Sequence, residues 1–102
     1  MLDLSAEDLG LVWRVLDANA PGVKVLAFGS RAQGNAKRYS DLDLALDAGT
    51  PLDWSMLGSL KAAFSESDLP IKVDVVDLND VGGRFRELVL RTAIPLPQSL
   101  PA

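Results

Sequence analysis

The sequence contains no cysteine and no histidine. Without cysteine there are no disulfides, no thiolate nucleophile and no cysteine-bound zinc. Without histidine there is no His-based triad, no imidazole general base and little prospect of a transition-metal site. Positive charge is also in short supply. Lysine and arginine total 10 against 14 acidic residues, a net charge of −4, so the broad basic surface that direct nucleic-acid binding needs is not expected. No apolar run is long enough to span a bilayer, and the opening Met1-Leu2-Asp3-Leu4 does not resemble a secretory leader. These absences predict a soluble cytoplasmic protein that makes no membrane contact. Its chemistry must come from carboxylates, hydroxyls, lysine, arginine and backbone groups, an inventory suited to hard cations such as Mg²⁺.

The 102 residues, 48% hydrophobic and 24% charged, fit one globular domain. Ser5 can cap a first helix with Glu7 and Asp8 in its first turn, and Leu9, Val12, Trp13 and Leu16 recur at helical spacing until Pro21-Gly22 stops it. Residues 23–28 read as a buried strand and 30–36 as a short helix limited by Gly34. Residues 41–47 alternate strictly, with Leu42, Leu44 and Leu46 on one face and Asp41, Asp43, Ala45 and Asp47 on the other. A helix over 52–65 carries Leu57, Leu60 and Phe64 at core spacing, 71–78 reads as a third strand, and a last helix covers 83–92. Pro95, Pro97 and Pro101 predict a loose, non-helical tail. The expected fold is therefore α/β, in the order α-β-α-β-α-β-α. It has a small mixed sheet with helices mainly on one face, a domain over 1–94 and a proline-rich tail over 95–102. Any further edge strand is left open.

The chemistry concentrates between Gly29 and Leu44. Gly29-Ser30 leaves a strand and opens a helix, which presents free backbone N–H groups to a phosphate. Gly29 permits close approach, and the Ser30 hydroxyl adds a donor. Asp41 and Asp43 lie two apart on a strand and point the same way. Two such charges ~7 Å apart, at an effective dielectric of ~20, repel by about 2 kcal/mol, and a divalent cation between them reverses the sign. On the third strand Val73 and Val75 read as core, so Asp74 emerges on the other side and joins Asp41 and Asp43 if the two strands are neighbours. Three carboxylates can hold two Mg²⁺ ions. Asp47 and Asp77 read as strand-end or turn residues and stay outside the site. Lys72 is given no role, since it is expected on the side of Asp74 only if the strand twists.

Two other readings of these residues fail on spacing, and a third on the length its usual fold needs. Gly29 to Gly34 has P-loop glycine spacing, but Asn35 and Ala36 stand where Lys and Ser/Thr are required. Asp41-x-Asp43 could open an EF-hand, but Ala45 and Leu46 occupy the positions of a ligand and the turn glycine. Asp-x-Asp also serves sugar-nucleotide glycosyltransferases, for whose usual fold 102 residues are too few. Arg31, Lys37 and Arg38 could equally neutralise triphosphate charge or be solvated. Trp13, Trp54 and Phe64 are expected in the core or at a partner interface.

The string Gly29-Ser30, ten residues, then Asp41-x-Asp43 resembles the signature of the DNA polymerase β-like nucleotidyltransferase superfamily. The fuller Gly-Ser-Arg-Ala-x-Gly…Ser-Asp-x-Asp-Leu is most similar to its minimal branch, and Val73-Asp74-Val75-Val76-Asp77 resembles that branch's third-carboxylate strand. The resemblance spans about residues 23–90. It implies metal ligation by Asp41, Asp43 and Asp74, with Asp74 also the base for the incoming hydroxyl, and phosphate contacts at Gly29 and Ser30; Arg31, next in sequence, is counted with the nucleotide-binding candidates on its charge alone. Larger superfamily members carry a second domain for the acceptor, which this chain lacks room for. The minimal branch works with a small helical HEPN partner. The implied activity is Mg²⁺-dependent transfer of AMP from ATP to a tyrosine hydroxyl of a HEPN toxin, for which this chain would be the antitoxin. The alternatives are an inert partner-binding subunit and a transferase for a small molecule such as an antibiotic.

Overall fold

A computed structural model of the chain describes residues 2–37 and 40–99. Arg38 and Pro101 lie outside the described residues. The first helix, α1 (Ala6–Asn19), begins where the sequence predicts. The Ser5 hydroxyl accepts a 3.1 Å hydrogen bond from the Asp8 N–H, with Glu7 and Asp8 in the positively polarised first turn. There follow β1 (Lys24–Phe28), α2 (Gly29–Gln33), β2 (Leu42–Asp47), α3 (Trp54–Glu66), β3 (Val73–Asp77), α4 (Gly83–Thr92) and β4 (Ile94–Pro95).

The four strands form one mixed sheet in the order β3-β2-β1-β4. β2 is parallel to β3, and β1 is antiparallel to both β2 and β4. Period-two alternation decides what each face carries. Val25, Ala27, Leu42, Leu44, Leu46 and Val75 face α1 and α3 and pack with Leu9, Val12, Leu16, Leu60 and Phe64. The β2 leucines are fully buried there, and truncating one to alanine removes about 2–5 kcal/mol of packing.

As expected, helices lie mainly on one face: α1 and α3 cover it, while α4 lies against the other, where its Val89 packs with Leu26, Ala45 and Val76. The structure corrects the tail, which does not run loose from residue 95. Ile94 and Pro95 form the edge strand β4 beside Ala27 and Leu26, Leu96 is buried, and the Trp13 indole donates a 2.7 Å hydrogen bond to the Pro97 carbonyl. An edge position tolerates Pro95 because one side of the strand needs no ladder donor. Of the two places expected for Trp54, its 87% exposure excludes the core and leaves a partner interface, while Phe64 is buried and Trp13 packs against the core. No described helix is long and apolar enough to cross a membrane.

Candidate active site

The acidic face of β2 is built by register. Asp43 lies opposite Phe28 of β1 on one side and Asp74 of β3 on the other. Directly opposed residues share a face, so Asp43 and Asp74 emerge together on the side away from α1 and α3, and Asp41 stands just ahead of the strand. The Val73 and Val75 side chains turn the other way into the core, as alternation predicts.

Electrostatics reports the same proximity. The Asp43 carboxyl is pushed above the ordinary aspartate range, first by partial burial, then by the negative charges of Asp74 and Asp41. This raises stability when the group is neutral and withdraws it as pH climbs through the elevated value. Among the described residues, the one ion pair on this face is between Lys72 and Asp74, at 3.5 Å. Residues two apart on a strand share a face without any twist, so the expectation for Lys72 is corrected. Both partners are well exposed, and such a pair is worth at most about 1 kcal/mol, little enough to be exchanged for another cation.

Gly29 completes the floor. Its backbone has φ +77°, and an added Cβ would sit 2.5 Å from the Asp43 Oδ2. The bare backbone of β1's exit and the Asp43 carboxylate are therefore in immediate apposition. The helix that follows spans five residues and ends at Gly34, shorter than the seven read from sequence. A helix this short has little macrodipole, so any phosphate affinity rests on its leading N–H groups. No side chain caps them. Ser30 is half-buried at this start.

Among the described residues, no three acidic side chains close on a common point at ligating distance. Asp41, Asp43 and Asp74 are neighbours on one face rather than a finished cage, with Asp74 drawn toward Lys72. This donor set still fits Mg²⁺, which takes oxygen ligands and typically uses one or two carboxylates with the substrate's own phosphates.

Three residues serve the scaffold. Arg31 is buried, its Nε donating to the Ser40 carbonyl and its Nη1 to the Asp3 carbonyl, both at 2.9 Å, while the Asp3 N–H returns a 2.7 Å bond to the Arg31 carbonyl. Sequence alone suggested a phosphate contact, but this guanidinium fastens the start of the chain and the approach to Asp41 onto α2. Replacing it with alanine strands two carbonyls, and Arg31→Ala is expected to cost about 2–3 kcal/mol, read as a lower urea midpoint. Arg31→Lys should not restore it, because one ammonium cannot reproduce the fork. Asp77, buried on the core face, accepts from the Leu52 and Asn79 N–H groups at 2.6 and 3.0 Å, ordering the entry to α3 and the turn after β3. Asp47 accepts from Asn79 and the Gly49 N–H, bonds that hold its carboxyl below the usual range. Both therefore stay outside the site. Lys37 is exposed.

Sequence reasoning missed Phe28. It borders Asp43 and meets Phe85 of α4 edge to face, ring centres 5.9 Å apart, thereby walling the acidic face on the β1 side.

The family model for polymerase beta, nucleotidyltransferase, matches residues 13–99. The chain belongs to this nucleotidyltransferase family. It is 43% identical over 97 residues to a Haemophilus influenzae protein named probable protein adenylyltransferase MntA, covering 95% of this chain and 85% of that one. Among solved structures it is similar to a toxin–antitoxin crystallised with AMP-PNP, at TM-score 0.72 and 29% identity over 86% of this chain and 71% of the other. It also resembles a mutant of the toxin–antitoxin MntA-HpeT, at TM-score 0.69 and 26% identity over 86% and 70%. The mixed four-stranded sheet with its acidic face is thus the nucleotidyltransferase fold, and the enzyme class read from Gly29-Ser30 and Asp41-x-Asp43 holds.

Proposed function

We propose that this nucleotidyltransferase moves AMP from ATP to a tyrosine hydroxyl of a HEPN-type helical partner in the cytoplasm, and so acts as that partner's antitoxin. The observation that carries the reading is the apposition of Gly29, Asp43 and Asp74. Backbone able to receive a phosphate lies against one carboxylate and next in register to another. The relative named an adenylyltransferase and the neighbour holding an ATP analogue support AMP as the transferred group.

Asp41 and Asp43, with Asp74 as a third oxygen donor, would hold Mg²⁺, with room in the donor count for two ions. When bound, the metal neutralises triphosphate charge and polarises the α-phosphate. The N–H groups of Gly29 and Ser30 and the Ser30 hydroxyl receive the phosphate oxygens. The acceptor oxygen forms its bond to the α-phosphorus, the bond to the pyrophosphate bridge breaks, pyrophosphate leaves, and the hydroxyl proton passes to Asp74. Positioning and charge neutralisation supply most of the rate.

Intact-mass analysis tests this reading. After incubation with this chain, ATP and Mg²⁺, the partner gains one or more AMP units, and EDTA prevents the gain. An unmodified partner that still forms the complex would overturn catalysis in favour of an inert binding subunit.

A further inference from the structure

β3 is the outermost strand of its side of the sheet. Its pairing leaves one edge open in a definite pattern. The Lys72 carbonyl accepts from Leu42 and the Leu78 N–H donates to Leu46, so even-numbered residues address β2. In a parallel ladder the alternate residues turn their backbone groups the other way, so Val73 and Val75 present N–H and C=O outward. Beside this edge runs a cleft of about 580 Å³, between β3 and the C-terminal half of α3, with Lys61, Phe64, Ser65, Leu69, Lys72 and Asp74 among its lining residues. Its cationic side chains are Lys61 and Lys72, on a chain of net charge −4; Phe64, Leu69 and Val75 give it apolar surface, and its lining includes the carboxylate proposed as the base.

We infer that this cleft is the acceptor subsite. An extended, acidic segment of the partner adds to the free edge of β3, its carboxylates meet Lys61 and Lys72, and its hydroxyl is delivered to Asp74. The inference rests on the proposed transfer to a partner protein and specifies where that protein is gripped. Two features favour an extended segment over a helix. Among the described residues, no hydrogen bond engages the outward backbone groups of Val73 and Val75, which can give affinity by strand addition, and residues 69–75 line the cleft in succession, with Asp74 among them. Charge complementarity fixes the sign of the occupant. Engagement by Lys72 would also draw that ammonium off Asp74 as the acceptor arrives.

The experiment uses the full chain, the HEPN-type partner protein and labelled ATP. Lys61→Glu reverses a charge outside the metal face, and Ser65→Trp fills the cleft from an exposed helix position. Each is expected to raise the KM for the partner by ~10-fold, or about 1.4 kcal/mol, with the KM for ATP changed less than about twofold. In Lys61→Glu the salt dependence of the partner KM also flattens. Hydrogen exchange at the Val73 and Val75 amides should slow when the partner is added. An unchanged partner KM in both variants, with no protection at those amides, overturns the acceptor subsite. So does a rise confined to the KM for ATP, which gives the cleft to the nucleotide. If wild-type protein protects the amides yet transfers nothing, strand addition stands and the transfer reading falls.

Discussion

Asp43→Asn is expected to abolish AMP transfer while leaving the fold at least as stable as wild type. The two effects have one source. Asp43 is the carboxylate on which the whole acidic face converges: it lies against Gly29, opposite Asp74 and two residues from Asp41, and its carboxyl is raised by burial and by both neighbours. On the proposed reading, removing its charge deletes a ligand for the cation that neutralises the triphosphate, a loss of at least ~10²–10³-fold in transfer rate. The same change removes a charge that the folded chain disfavours. The full repulsion at ~7 Å would be about 2 kcal/mol, but the site is partly solvated, so a gain below about 1 kcal/mol is the reasonable scale. Because the folded-state carboxyl is raised, wild type recovers the difference when the group is protonated. The variant's advantage in thermal midpoint should be present at neutral pH and vanish as pH falls below the ordinary aspartate value of about 3.9. Mg²⁺-ATP should stabilise wild type and not the variant. Single-turnover transfer and thermal melts across pH read all of this. Full transfer together with a lowered melting point at neutral pH would mean that Asp43 is an ordinary surface acid.

The parts of this site that were legible in the sequence follow from strand alternation and from a single cap. Alternation over 41–47 put Asp41 and Asp43 on one face, alternation over 73–75 put Asp74 on the matching face, and Ser5 marked the start of α1. Alternation within a strand says nothing of which strands are neighbours, so the pairing of Asp43 with Asp74 needed the sheet order. What stayed hidden depends on partners distant in the chain. Arg31 looks like a phosphate ligand beside Gly29-Ser30 because its acceptors, Asp3 and Ser40, are backbone carbonyls with no sequence signature. Pro95 reads as a breaker because propensity cannot see that one side of β4 faces no strand. Lys72, by contrast, was readable by the same alternation as Asp41 and Asp43, and its ion pair with Asp74 is the local consequence.

Gly29→Ala is the second large effect, and its value lies in separating backbone strain from collision. Gly22 and Gly29 share φ +77°, a region where a Cβ costs about 1–2 kcal/mol. Nothing lies within 4 Å of a Cβ at Gly22, whereas at Gly29 it would meet the Asp43 carboxylate at 2.5 Å. Gly22→Ala is therefore the strain-only control, with a modest fall in stability and transfer retained. Gly29→Ala carries the same strain and must also move Asp43 or the strand exit proposed to receive the phosphate. A displacement approaching 1 Å at reacting groups costs on the order of 10²-fold in rate, so transfer should fall by at least that much. The loss of stability should exceed that of Gly22→Ala. Shortening the obstructing side chain then gives the decisive arm. In an Asp43→Ala background, the added methyl group at position 29 has room, and its stability cost should shrink to that of Gly22→Ala, a coupling that a double-mutant cycle measures. Equal costs at the two glycines, with transfer intact in Gly29→Ala, would mean that the carboxylate does not rest on the glycine backbone, and the apposition on which the proposed phosphate site depends would be gone.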